Sequence, residues 1–172
     1  MREAELSMLQ RLGASEHAPG AILDAQCNLA MTYAALGRHN EALSLRQDVY
    51  SGRSKLEGEE HAETLQAALN YAASLGDLKR FGEVKALLRK IMPVARRVLG
   101  ENHVDTLKMR WSYATALYAA DDATLDDLRE AVTALEDVER TARRLFGGAH
   151  PHTVQLERCL RDARTLLRAR EA

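Results

Sequence analysis

Proline, phenylalanine and cysteine are scarce here: three, two and two residues among 172. Few aromatic residues disfavour a β sandwich, while the abundant Ala, Leu, Arg and Glu favour helix. No apolar run approaches the roughly 20 residues that a membrane span needs. Met1 to Leu12 is charged and amphipathic, unlike a secretory leader. The formal net charge of -1 supplies no global pull towards nucleic acid or an anionic membrane. Catalytic patterns are missing too: there is no Gly-rich phosphate loop, no Gly-x-Ser-x-Gly elbow and no His-Glu-x-x-His. Two cysteines far apart, Cys27 and Cys159, fit reduced thiols, so the expectation is a soluble cytoplasmic protein that is not an enzyme.

What the sequence has is apolar content and repetition. Apolar residues make up 46%, which argues for a packed core and against disorder. Three segments share one turn pattern: Gly58-Glu-Glu-His61-Ala-Glu-Thr64-Leu65, Gly100-Glu-Asn-His103-Val-Asp-Thr106-Leu107 and Gly147-Gly-Ala-His150-Pro-His-Thr153-Val154. Copies lie 42 and then 47 residues apart, and Gly13 with His17 forms a weaker earlier copy. Asn28-Leu29-Ala30 aligns with Asn70-Tyr71-Ala72 and Ser112-Tyr113-Ala114, again 42 residues apart. A five-residue insertion near Asp121 to Leu125 accounts for the longer third interval. A period in this range signals a stacked repeat architecture.

Each period divides into two helices. Ala21 to Leu36 places Ile22, Leu29, Ala30, Tyr33 and Leu36 at helical spacing, and Gly37 ends the run. Glu41 to Leu56 carries Ala42, Leu45, Val49 and Leu56 on a second stripe. Pro19 and Pro151 fit a first helical turn, and Thr124 with Asp127 reads as a capping box. Pro93, inside the helical run Arg80 to Leu99, predicts a kink or an early break. A helix that hides one stripe must stack on its neighbours to bury it.

Leu99-Gly100-Glu-Asn-His103-Val-Asp-Thr106-Leu107, Asn28-Leu29-Ala30-Met-Thr-Tyr33 and Gly37-Arg-His-Asn-Glu41-Ala42 resemble the long tetratricopeptide repeats of kinesin light chains and nephrocystin-3. The resemblance spans about residues 20 to 165 and implies an all-α, right-handed superhelical solenoid of antiparallel helix pairs, about eight helices in one domain. The expected division is a partial unit 1–18, repeats about 19–60, 61–102 and 103–149, and a capping helix 150–172. In that last helix Arg161 and Arg164 replace Ala114 and Leu117, which reads as a solvated cap.

The same resemblance implies a concave groove lined by the first helix of each unit. Its expected peptide-binding residues are Asn28, Met31, Gln66, Asn70, Lys108, Trp111, Ser112, Thr115 and Arg158, with Asp24, Cys27, Ala73, Tyr118 and Asp162 beside them. An asparagine amide offers a donor and an acceptor to a peptide backbone; bonding to a neighbouring helix is the competing reading. Trp111 reads either as an anchor or as packing between helices. Lys108 and Arg158 suit an acidic peptide.

Metal and cofactor chemistry are not expected. His17, His61, His103 and His150 occupy one repeat position, and helices pack about 8–10 Å apart, so these side chains cannot converge on one ion; capping the turn is the expected role. Asp121, Asp122, Asp126 and Asp127 lack the spacing and glycine of a calcium loop. The leading functional reading is a non-catalytic scaffold for a protein or peptide, with no nucleic-acid or membrane partner. Two alternatives stand beside it: a self-associating module, forming a weak homodimer through exposed solenoid ends, and a regulatory fragment of a larger signalling protein. The charge distribution adds one feature: Lys79 to Arg110 is mostly basic, Asp121 to Glu139 mostly acidic, and Arg140 to Arg170 basic again.

Overall fold

The computed structural model describes residues 19–172. Seven helices and no strand occur among them: α1 (Pro19–Ala35), α2 (His39–Glu57), α3 (Ala62–Asp77), α4 (Phe81–Val98), α5 (Val104–Ala119), α6 (Leu125–Phe146) and α7 (Pro151–Glu171). The expected eighth helix, with Gly13, His17 and the partial unit 1–18, lies outside the described residues. The described residues separate into two compact units that divide between Leu78 and Lys79.

One turn design recurs three times. Gly58, Gly100 and Gly147 take φ of +91°, +98° and +87°. Three residues later a histidine caps the next helix, its Nδ1 accepting the N–H two residues on: His61 from Glu63 at 3.3 Å, His103 from Asp105 at 3.2 Å, His150 from His152 at 3.2 Å. The histidine's own N–H returns to the glycine carbonyl at 3.3–3.4 Å, closing the turn. A side chain at Gly147 would be strained whatever the space around it; a glycine fits that left-handed backbone without a Cβ penalty. Gly37 plays the same part after α1 with φ of +74°.

In the first unit, Leu29, Ala30, Ala42, Leu43, Val49, Leu65, Ala68, Ala72 and Leu75 are buried. Gly52 sits inside α2 because Leu23 packs there: a Cβ would lie 2.6 Å from a Leu23 methyl. Two basic side chains complete the packing. Arg53 is buried and pairs with Asp24 of α1 and Glu57 of α2. Arg46 is half-buried and donates to the Asn70 carbonyl at 3.1 Å and Ser74 Oγ at 2.9 Å, tying α2 to α3. Tyr50 and Tyr71 stack at 6.1 Å across the same pair. Two expected core residues fall outside: Leu36 is 66% and Leu56 48% exposed. Helix α1 stops at Ala35, leaving Leu36 in the turn, and the buried position near the end of α2 belongs to Arg53.

The second unit buries Leu88, Leu117 and Leu135 completely, each contributing about 2–3 kcal/mol by removal from water. Leu107, Ala114, Leu135, Val138, Ala142, Leu156, Leu160 and Ala163 form a core shared by α5, α6 and α7. Polar ties reinforce it. Arg89 of α4 donates to the Tyr113 hydroxyl at 2.9 Å, which in turn donates to Glu130 of α6 at 3.0 Å. Arg110 of α5 pairs with Asp137 of α6, holding that carboxyl below the usual range. Thr124 and Asp127 form the full capping box at the start of α6.

Helix α4 runs on through Pro93 to Val98, so the early break does not occur. Proline removes one donor to the carbonyl four residues back, and both Pro93 and Arg89, the residue that carries that carbonyl, are exposed. In α7, Arg161 and Arg164 are exposed as expected for charged positions, and Arg164 pairs with Glu136 of α6 at 2.7 Å.

Candidate functional site

Helices α3 and α5 are buried on most of their circumference and open along one stripe, whereas α1 buries Leu29 and Ala30 and α7 buries Thr153, Leu156, Leu160 and Ala163. On α3, Thr64, Leu65, Ala67, Ala68, Leu69, Ala72, Ser74 and Leu75 are buried, while Gln66, Ala73 and Asp77 are exposed and Asn70 is half-buried between them. Residues four, seven and eleven apart share a helix face, so these four form one line. The line repeats. On α1 the equivalents Asp24, Asn28, Met31 and Ala35 are all exposed. On α5 the equivalents Lys108, Ser112, Thr115 and Ala119 are half-exposed, beside the buried Leu107, Met109, Tyr113, Ala114, Ala116 and Leu117. On α7 they are Gln155, Cys159, Asp162 and Leu166.

Most expected binding residues therefore lie on this stripe: Asn28 and Met31, the latter 54% exposed, on α1; Gln66 and Asn70 on α3; Lys108, Ser112 and Thr115 on α5. Two stand one position aside. Arg158 is exposed on α7. Trp111 is half-buried, packs against the second unit's core and donates its Nε1–H to Cys159 Sγ at 3.4 Å. Its ring also meets His152 edge-on at 6.1 Å. Trp111 thus serves first as packing between α5 and α7, with its remaining surface beside the stripe. Asp24 is engaged by Arg53.

Electrostatics differ between the units. Burial pushes the Cys27 thiol up, with Arg46 opposing, which makes it a poor nucleophile. Burial also pushes the Tyr118 phenol well up, reinforced by a hydrogen bond with Cys159. Burial, then His150, then Lys108 hold His152 below its ordinary value. His150 and His152 lie 5.1 Å apart, and Phe146 lies 5.0 Å from His150. Among the described residues, no group of three or more His, Cys, Asp or Glu side chains gathers as a metal site, and both cysteines are free. Sequence reasoning missed His152 as a neighbour of Trp111, Phe146 as a neighbour of His150, and Arg46 as the donor to the Asn70 carbonyl. Each contact joins different helices, and no local spacing announces it.

These features, helix pairs on a 42-residue period with a shared turn and a recurring open stripe, define a tetratricopeptide repeat fold. Residues 21–92 match the tetratricopeptide repeat family model. That match covers less than half of the chain, and over its whole length the chain shares the fold of kinesin light chain TPR-like repeat structures. Two crystal structures of a Podosopora anserina protein, described as a kinesin light chain with nearly identical TPR-like repeats, align with TM-scores of 0.77 and 0.75. Both are 24% identical, over 99% of this chain and 77% of theirs. BtubC (BKLC) from P. vanneervenii aligns with a TM-score of 0.62 at 13% identity, over 99% of this chain and 72% of its own. No curated protein matches the chain.

Proposed function

We propose that the chain is a non-catalytic scaffold, each of its two units holding an extended peptide or protein segment along the open stripes of its own first helices. The fold is one generally used for protein interaction. One observation supports the finer reading: the same line of positions is exposed or half-exposed on α1, α3 and α5, and on α3 and α5 it runs between buried flanks. Its occupants suit peptide recognition. Asn28, Gln66 and Asn70 carry amides that both donate and accept, matching a peptide backbone. Met31 offers an adaptable apolar contact. Ser112 and Thr115 add hydroxyls, and Lys108 and Arg158 favour acidic segments. No helix among the described residues is long and apolar enough to cross a membrane, and the setting we propose is the cytoplasm.

The test is affinity capture from extract of the native cell, comparing the parent chain with a Gln66→Ala, Asn70→Ala double variant. Both positions are at the helix surface, so the variant should keep its helical CD signal and urea midpoint. Loss of captured protein by the variant supports the reading. Equal capture by both overturns it.

A further inference from the structure

The α6–α7 pair carries a second surface, distinct from the first-helix stripes. Glu136, Glu139, Arg140 and Arg143 of α6 face Glu157, Arg161 and Arg164 of α7 across an open groove of about 550 Å³, with Leu160 beneath. The preceding helix pair shows what normally fills such a place. There α6 lies on α4 and α5, bringing Asp127 towards Lys85 at 3.9 Å, Glu130 to the Tyr113 hydroxyl that Arg89 also holds, and Asp137 to Arg110.

The α6–α7 groove has the opposite chemistry. Shifted by the 47-residue interval, Lys85, Arg89 and Arg110 correspond to Val132, Glu136 and Glu157. A helix charged like α6 would therefore meet two carboxylates and no base. Conversely, the buried Ala114 and Leu117 correspond to Arg161 and Arg164. An apolar helix is excluded as well, because burying guanidinium groups without partners is costly. Two arginines are already spoken for: Arg143 pairs with Glu139 at 2.8 Å and with Glu157, and Arg164 pairs with Glu136. Arg140 and Arg161 make no ion pair among the described residues, and both are exposed.

We propose that this groove binds an acidic peptide segment of a protein partner, whose carboxylates are taken by Arg140 and Arg161. Guanidinium groups hold carboxylates through paired, charge-assisted hydrogen bonds. The groove follows α6 from Glu136 to Arg143, about 10 Å of helix, enough for a short segment with two acidic side chains. A nucleic acid fits less well. The three glutamates repel a continuous polyphosphate, and the groove offers no aromatic ring on which a base can stack.

The test uses the full chain and a fluorescein-labelled peptide of alternating Glu and Ala, followed by fluorescence anisotropy at low and at physiological salt. The peptide should bind, more weakly as salt rises. The Arg140→Glu, Arg161→Glu variant should weaken binding about tenfold or more. Neither residue is in the core, so the fold should persist; if helicity falls, Arg140→Gln with Arg161→Gln carries the same comparison. The Gln66→Ala, Asn70→Ala variant should bind this peptide like the parent, which separates the groove from the first-helix stripes. Unchanged binding by both arginine variants overturns the proposal. So does a loss caused by the stripe variant, or tighter binding of a single-stranded oligouridylate than of the peptide.

Discussion

Thr64, Thr106 and Thr153 recur in every turn, yet each hides a hydroxyl that bonds nothing. Their exposures are 1%, 0% and 0%. The position therefore selects the compact β-branched shape, and the hydroxyl is a desolvated burden. Thr106→Val keeps the shape and removes the orphan group, so it should stabilise the chain by about 1 kcal/mol, read as a higher urea midpoint; a lower midpoint would reveal an unseen hydrogen bond. Trp111 is the opposite case. It packs on the second unit's core and bonds Cys159, so Trp111→Ala should cost about 2–3 kcal/mol. That loss makes it a poor probe of binding, and Gln66 and Asn70 the better ones. The sequence made both residues visible, the threonine by recurrence and the tryptophan by being alone, but not what surrounds them. Arg46 and Arg53 were less legible still: basic residues in an amphipathic helix read as solvent-facing, whereas these two lie between helices, satisfied by Asn70, Ser74, Asp24 and Glu57.

Helix starts are where pH enters. The Nδ1 lone pair of His61, His103 and His150 accepts a backbone N–H, so the Nε2–H tautomer is the one that caps. The His61 Nδ1 also lies 3.0 Å from a Glu57 carboxylate oxygen. No carboxylate pairs with His150 among the described residues; it faces His152 and Phe146, with Lys108 near His152. His152, held below its usual value of 6.5 chiefly by burial, favours the neutral form in the folded chain. The unfolded chain then binds more protons below that value, so this contribution is full above about 6.5 and declines as pH falls through the lower folded value. Acidification towards pH ~5 should therefore loosen the start of α7 first, and His152→Gln should flatten that part of the urea-midpoint profile. Trp111 fluorescence follows the step directly, because its ring touches His152. A profile identical in parent and variant would contradict this. At α6, Thr124 holds the Asp127 carboxyl below its ordinary range. Thr124→Ala should cost about 1 kcal/mol above pH ~4 and less below it, as Asp127 protonates.

At the scale of the whole chain, the repeat itself was legible. A recurring Gly-x-x-His-x-x-Thr turn and apolar residues at helical spacing fix where each helix starts and which face it hides. The stripe was legible for the same reason: Asn28, Asn70 and Ser112 align on one period, and none of the three is buried. Departures come from contacts between helices and from helix ends. Leu36 and Leu56 fit the apolar spacing but fall where the helices stop or turn away. The α6–α7 groove arises from substitutions that look unremarkable singly and become a site only when two helices face each other.

The central claim, that the open stripes of the first helices hold a peptide, is tested most directly by hydrogen–deuterium exchange of the full chain with and without its captured partner. Slower exchange concentrated on α1, α3, α5 and α7, with the part on α1 and α3 absent in the Gln66→Ala, Asn70→Ala variant, is the expected result. Protection confined to α2, α4 and α6, or retained in full by that variant, would contradict it.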